Sequence, residues 1–138
     1  MIDKFDGQYR FLSNFYLWRV EFDGLVYTSV ECAYQAAKTT DPDLRIDFTD
    51  MTSGQAKRAG RRLKLRPDWD KIKEGIMEQL LLDKFSAKGM KHKLLATGDE
   101  ELVEGNDWND VEWGVCDGVG KNKLGKLLMK VRAILRGR

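Results

Sequence analysis

Three stretches of this chain hold residue types that can do more than build a scaffold. Glu31, Gln35 and Lys38 fall at i, i+4 and i+7, so a helix through them carries a carboxylate, an amide and an amine on one face. Such a trio can form an acid/base site. The plainer alternative is that Glu31 caps the helix and Lys38 is solvated, and on residue types alone that alternative is the stronger. Around Asn14 and Phe15, the run Phe11-Leu12-Ser13-Asn14-Phe15-Tyr16 mixes aromatics with a hydrogen-bonding amide. It suits a flat, polar-edged ligand, or else a strand anchored by core aromatics, which the residue types favour.

The third stretch runs from Asn109-Asp110-Val111-Glu112-Trp113-Gly114 into Gly118-Val119-Gly120-Lys121-Asn122-Lys123-Leu124-Gly125. Asp110 is a second carboxylate, and Trp113 has a face on which a ring can stack. Gly120, Lys121 and Asn122 precede a helical pattern, where free backbone N–H groups can hold an anion. The spacing is not that of a phosphate-binding Walker loop, because no Ser or Thr follows the lysine. A glycine-rich loop before a helix can also be only a tight connection.

The elements that must position these residues follow from periodicity. Trp18-Arg19-Val20-Glu21-Phe22 alternates, Asp23-Gly24 is a favoured two-residue hairpin turn, and Leu25 to Tyr27 is the return strand. Thr28-Ser29-Val30-Glu31 reads as a capping box with Thr28 as N-cap. Val30, Ala33, Tyr34 and Ala37 then form a buried stripe opposite Glu31, Gln35 and Lys38. Thr52-Ser53-Gly54-Gln55 opens a second, basic helix reaching about Leu63. Pro67-Asp68 starts the longest helix, with Trp69, Ile72, Ile76, Met77, Leu80, Leu81 and Phe85 inward, and Gly89 suits its end. A short helix near Met90–Ala96, a strand at Leu102-Val103, a structured loop from Gly105 to Gly120 and a last helix opening at Asn122 complete the chain. In that last helix Leu124, Leu127, Leu128, Val131, Ile134 and Leu135 face inward. The expected fold is α+β and mainly helical, a single domain over residues 1–138 with a small N-terminal β-hairpin.

Composition bounds the function. The chain has 138 residues, 42% hydrophobic and 33% charged, which is the balance of a soluble globule rather than a disordered segment. No apolar run approaches the roughly 18 residues a membrane span needs, and no secretory signal is visible, so a cytoplasmic protein is expected. Cys32 and Cys116 share no spacing pattern, and with His92 the lone histidine no metal site is expected. The net charge is only +2, yet the basic residues cluster. Lys57, Arg58, Arg61, Arg62, Lys64 and Arg66 form one acid-free segment, and Lys121 to Arg138 forms another. Both could meet a phosphate-bearing ligand or a nucleic acid, or simply be solvated helix faces.

Taken in order, four pieces resemble the NADAR family. They are Leu12-Ser13-Asn14-Phe15, Ser29-Val30-Glu31-Cys32-Ala33-Tyr34-Gln35-Ala36-Ala37-Lys38, Pro67-Asp68-Trp69, and Trp113-Gly114 with Gly120-Lys121-Asn122-Lys123-Leu124-Gly125-Lys126-Leu127-Leu128-Met129. The resemblance spans nearly the whole chain. Two positions depart from it: Cys32 stands where many relatives have histidine or another polar residue, and Cys116-Asp117 interrupts a stretch that is usually mostly glycine.

The resemblance implies a cofactor-free N-glycosidase acting on a glycosylamine, in which ribose is bonded to an exocyclic amine. Two substrates are implied: ADP-ribose on guanine in nucleic acid, which the two basic segments suit better, and phosphorylated ribosylamino-pyrimidine intermediates of riboflavin synthesis. On this reading Glu31 carries the proton or stabilises the oxocarbenium ion, and Lys38 is a Schiff-base nucleophile or an electrostatic ligand. Asp110 orients a sugar hydroxyl or activates water. Asn14, Phe15, Gln35, Trp69, Trp113 and Gly114 bind substrate, and Gly120, Lys121 and Asn122 hold phosphate. A non-catalytic module that binds ADP-ribose or nucleic acid is the alternative of a different class.

Overall fold

The computed structural model describes residues 1–138. Helices dominate it, and the strands are few and short. The chain separates into two compact units. One is built from Asn14–Lys84 and the other from Met1–Ser13 together with Phe85–Arg138.

The Asn14–Lys84 unit opens with the hairpin. Strands β1 (Val20–Phe22) and β2 (Leu25–Tyr27) pair antiparallel, with Val20 opposite Tyr27 and Phe22 opposite Leu25. Asp23 and Gly24 both take positive φ, 48° and 83°, as a two-residue turn matched to the strand twist requires. Helix α1 (Val30–Ala36) follows and packs on both strands and on helix α3 (Ser53–Gly60). All seven residues of α1 are buried. A helix buried on every side is the centre of its unit rather than an amphipathic cover. Between α1 and α3 lie α2 (Pro42–Asp47), with Asp41 as N-cap and Pro42 at the first position, and a 3-10 turn at Phe48–Asp50. Neither of these two elements is expected from periodicity. Helix α3 carries the expected capping box in full: Thr52 and Gln55 each satisfy the other's backbone N–H.

Helix α4 (Trp69–Ser86) is the longest. Trp69, Ile76, Met77, Leu80, Leu81 and Phe85 are buried as the spacing predicts, while Ile72 is only half-buried. The helix stops at Ser86, and Gly89 lies inside the next one, α5 (Lys88–Leu95), instead of closing α4. The break falls at Ala87, whose extended backbone makes it the N-cap of α5.

In the other unit, Phe11 and Leu12 are core residues of a 3-10 helix, Gly7–Leu12, not of a strand. Leu102 makes one isolated bridge to Ile2 rather than a strand through Leu102-Val103. The segment 105–120 holds a two-residue parallel pair, β3 (Gly105–Asn106) with β4 (Val115–Cys116). Helix α6 (Lys123–Arg136) buries Leu124, Leu128, Val131 and Leu135, with Leu127 and Ile134 at the margin. No helix is long and apolar enough to cross a membrane.

Candidate functional site

The N-terminus of α1 sets the register of the carboxylate. Ser29, not Thr28, is the N-cap: its backbone is extended and its Oγ accepts from Cys32 N–H at 3.2 Å. The Thr28 hydroxyl donates instead to the Met51 carbonyl at 2.9 Å. Shifting the cap by one residue makes Glu31 the second helical residue, so it does not close a capping box. The Glu31 amide donates to the Asn14 carbonyl at 3.1 Å, which stitches the segment at Asn14 onto the first turn of α1. Ser53 tightens the same seam, its Oγ lying 3.0 Å from the Phe15 carbonyl and 2.8 Å from Ser29 Oγ.

The polar face of α1 is not solvated. Glu31 is 8% exposed and Gln35 is 6% exposed. Gln35 Nε2 donates toward Glu31 Oε1 at 3.5 Å, and Gln35 Oε1 is buried with no donor. Lys38 sits two residues beyond the end of α1, in a turn locked by its own amide on Gln35 O (3.2 Å) and its carbonyl under Arg66 N–H (2.9 Å). Burial lowers the Lys38 amine below the ordinary lysine range. The Glu31 carboxylate opposes that shift, and the positive charges of Arg61 and Lys73 add to it. A half-buried amine under this influence gains neutral, nucleophilic character.

Asn14 brings a second orphaned amide to this unit: its Nδ2 touches Met77 Sδ at 3.6 Å, and its Oδ1 is buried without a donor. Phe15 is exposed, with Lys57 Nζ 5.7 Å from its ring centroid. Trp69, which can wall a pocket or serve the core, packs inward. It is 5% exposed, and its ring packs on Tyr34 with centroids 5.1 Å apart, so it serves the core.

The remaining expected site residues belong to the other unit, and there the loop chemistry is largely inward. Asp110 Oδ1 accepts from the backbone N–H groups of Glu112 (3.1 Å) and Trp113 (2.9 Å), which fixes the turn. Asn106 clamps the same turn, accepting from Asp110 N–H and donating to its carbonyl. Trp113 is half-buried.

The phosphate cradle expected at Gly120, Lys121 and Asn122 is corrected by the backbone. The N–H groups of Lys121, Asn122, Lys123 and Leu124 donate to the carbonyls of Val111, Gly114, Glu112 and Trp113. Those four N–H groups are therefore engaged within the protein rather than idle donors for an anion. Asn122 is buried: its Oδ1 accepts from Glu104 N–H at 3.0 Å and its Nδ2 donates to the Leu102 carbonyl at 2.9 Å. Gly120 has no side chain because a Cβ there would lie 2.1 Å from the Gly114 carbonyl oxygen, and Gly114 is buried beneath Glu104. Of the three, only the exposed Lys121 side chain is free of this packing role.

The NADAR domain model matches residues 3–136, and so spans both units. The chain belongs to the NADAR family. Among its relatives, the N-glycosidase YbiA of Escherichia coli is 39% identical over 125 residues, 87% of this chain and 78% of that protein. An N-glycosidase of Nostoc punctiforme is 35% identical over 136 residues, 93% of this chain and 86% of its own. A Vibrio vulnificus protein named for riboflavin biosynthesis is 37% identical over 136 residues, 95% of this chain but 37% of its own length. The solution structure of E. coli YbiA superposes with a TM-score of 0.85 at 35% identity, covering 99% of this chain and 87% of that one.

This NADAR chain carries one functional-looking group that sequence reasoning missed. Lys84, on the inward face of α4, is 0% exposed, and burial lowers its amine to about 7. Its Nζ lies 5.5 Å from the centroid of the Tyr16 ring. The signal was present: Lys84 follows Met77 by seven residues and Leu80 by four, on the core stripe. The C-terminal basic segment of this NADAR chain is, by contrast, partly consumed within the protein. Arg132 is buried with Nη1 on Thr97 Oγ1 at 2.9 Å, Lys123 pairs with Glu112, and Arg136 pairs with Asp99.

Proposed function

We propose that this chain hydrolyses the N-glycosidic bond between ribose and an exocyclic amine, removing ADP-ribose from guanine in nucleic acid. The observation that carries the reading is the buried Glu31–Gln35 face of α1 running into the half-buried Lys38, whose amine is held below the ordinary lysine range by burial. A solvated helix face needs none of this, and desolvating a carboxylate and an amine together costs stability that a purely structural helix has no reason to bear. The N-glycosidase names of the E. coli and Nostoc relatives support cleavage of an N-glycosidic bond.

The chemistry follows from the glycosylamine itself. The exocyclic nitrogen lone pair expels the ring oxygen, which takes a proton from Glu31, and an open-chain iminium forms at the anomeric carbon. The neutral Lys38 amine adds to that carbon. A proton passes, through the Glu31 carboxyl, from the lysine nitrogen to the base nitrogen, and the base departs as a free amine. That leaves the sugar as a Schiff base on Lys38. Water adds to this imine, the carbinolamine collapses, and the released aldehyde closes to free ADP-ribose while Lys38 is regenerated. The net reaction consumes one water and needs no redox partner. Asn14 Oδ1, buried without a donor, is suited to accept from a sugar hydroxyl or a base N–H. The exposed side chains of Arg61, Arg62 and Lys64 supply positive charge in the same unit for a pyrophosphate or a nucleic-acid backbone.

The second reading is hydrolysis of phosphorylated ribosylamino-pyrimidines, favoured by the riboflavin-biosynthesis name of the Vibrio relative. The test is incubation of wild type and Lys38→Ala with a DNA oligomer bearing ADP-ribosylated guanine, and separately with the ribosylamino-pyrimidine phosphate, with products followed by mass spectrometry. Release of ADP-ribose by wild type alone supports the proposal. Turnover confined to the pyrimidine selects the second reading, and tight ADP-ribose binding without cleavage of either substrate replaces both with a binding module.

A further inference from the structure

The charge on α3 is lopsided. Ser53, Ala56 and Gly60 form the buried stripe of the helix. The Arg62 amide still bonds to the Ala59 carbonyl at 3.1 Å, so the rotation continues through the C-cap Arg61. At about 100° per residue, Lys57, Arg61, Arg58 and Arg62 then succeed one another around one flank of the stripe. The other flank holds the uncharged Gln55 and Ala59. A face that is only solvated mixes both signs of charge along the helix, and this one does not. Arg58, Arg61 and Arg62 are exposed, and no carboxylate pairs with any of them, although Arg45, Arg66 and Arg136 each pair with an aspartate. Three such guanidinium forks side by side suit the anionic oxygens of a chain of phosphates.

Phe15 lies beside the same flank. Its ring centroid is 5.7 Å from Lys57 Nζ, and Ser53 Oγ donates to its carbonyl at 3.0 Å, which pins its backbone to the first turn of α3. The ring is 44% exposed. At the other end of the flank, Arg61 is near enough to Lys38 for its charge to act on that amine. The flank thus runs, within one unit, from an exposed aromatic to the amine of the proposed site. We infer that the cationic flank of α3, with Phe15 at its edge, is a track for a single nucleic-acid strand: phosphates lie against Lys57, Arg58 and Arg62, and a base next to the modified guanine stacks on the Phe15 ring. The inference deepens the function proposed above and rests on it for the position of the modified nucleotide. Cations that follow a backbone, combined with an aromatic that takes an unstacked base, fit a single strand because every nucleotide brings a phosphate and a flat face. A duplex keeps its bases stacked on one another and gives Phe15 nothing to take. ADP-ribosylated guanosine has no flanking phosphate or base, so it cannot use the track.

The experiment uses the full chain as wild type, Phe15→Ala, the double variant Arg58→Gln/Arg62→Gln, and the charge-matched control Lys88→Gln/Lys91→Gln on α5, in the other unit. Arg61 is left in place because its charge also acts on Lys38. Melting temperature checks the fold of each. Binding of a short unmodified DNA strand, and of its duplex, is read by fluorescence anisotropy over a range of salt. The double arginine variant is expected to bind the strand about tenfold more weakly at low salt. Its slope of log affinity against log salt should be shallower by about 1.4, from two contacts at about 0.7 each. Phe15→Ala is expected to weaken strand binding about tenfold, to keep the salt slope and to leave duplex binding alone. The control should bind as wild type does. An equal loss in the control overturns the inference, because net charge alone then explains the binding, and so does Phe15→Ala binding the strand as tightly as wild type. In turnover, Phe15→Ala and the double arginine variant should each raise KM on an oligomer bearing ADP-ribosylated guanine. The preference for that oligomer over ADP-ribosylated guanosine should fall about tenfold, and a preference that does not fall overturns the inference. A wild type that cleaves neither substrate refutes the proposed function instead, and the anisotropy measurements still decide the track.

Discussion

Replacing Lys84 by methionine should change how stability depends on pH, with the difference between the two proteins moving in the variant's favour as the pH falls. Methionine keeps the apolar stem that α4 buries and removes the amine. The native amine is held at about 7 by burial, against 10.5 for an ordinary lysine. In the unfolded chain the group therefore binds a proton throughout the interval that the folded chain leaves it neutral. Stability contributed by this group is full above pH 10.5 and declines by about 1.4 kcal/mol for each unit down to pH 7, below which both states carry the proton and the slope vanishes. Summed over the interval from 10.5 to about 7, the wild type gives up roughly 5 kcal/mol that the variant keeps. The Tyr16 ring, 5.5 Å from Nζ, favours the charged amine and offsets part of the loss, by ~0.5–2 kcal/mol. Urea unfolding of both proteins at fixed ionic strength between pH 6 and pH 10 measures the difference. A difference that moves in the variant's favour toward low pH and levels off near 7 is the expected result. A constant gap across that range would refute the argument, because it would mean that Lys84 stays charged in the folded protein.

Other perturbations separate chemistry from scaffold. Glu31→Gln should lower turnover of the glycosylamine substrate on the order of 10²–10⁴ with an unchanged fold, read by kcat and circular dichroism, since Glu31 does not cap α1. Lys38→Met should abolish trapping of a sugar adduct by borohydride, and trapping that persists at another residue would move the nucleophile elsewhere. Thr52→Ala should cost about 1 kcal/mol in denaturant unfolding and leave turnover per folded molecule alone, because it removes only the cap of α3. Asn122→Ala should cost roughly 3 kcal/mol, since it deletes both buried side-chain hydrogen bonds and keeps a left-handed backbone, and its effect on substrate binding should follow the loss of folded protein.

Much of this was legible in the sequence where a local rule and the tertiary structure agree. Asp23-Gly24 announces its turn because few other residues tolerate positive φ twice, and Thr52 with Gln55 announces α3 because a reciprocal cap is a local bond pattern. The Glu31–Gln35–Lys38 register was also visible, but its burial was not. A polar stripe opposite an apolar one reads as solvated, and only the packing of α3 and the Asn14 segment against it removes the water. Thr28 and Ser29 are equally good caps by composition, and the choice fell to backbone angles imposed by the end of β2. The glycine-rich stretch before α6 misled for a related reason. Glycine marks close approach of backbone as readily as a place for an anion, and at Gly120 the approaching group is a carbonyl of the same loop. Lys84 escaped because charge argues for solvent, whereas its position in the α4 repeat argues for the core.

The carbonyls of residues 111–114 that cover the start of α6 also bear on how this family can vary its loops. The four carbonyls from Val111 to Gly114 are all taken by the four amides from Lys121 to Leu124, in a crossed order in which Asn122 reaches Gly114 while Lys121, Lys123 and Leu124 take Val111, Glu112 and Trp113. An inserted residue in either partner would break this set of bonds. The tip at Asp117-Gly118-Val119 is under no such constraint: it is exposed, and it closes on itself through paired bonds between Cys116 and Val119. Length changes should therefore accumulate at the tip, while Val111–Gly114 and Lys121–Leu124 keep a fixed spacing from each other's bonds and exchange their amide protons as one unit.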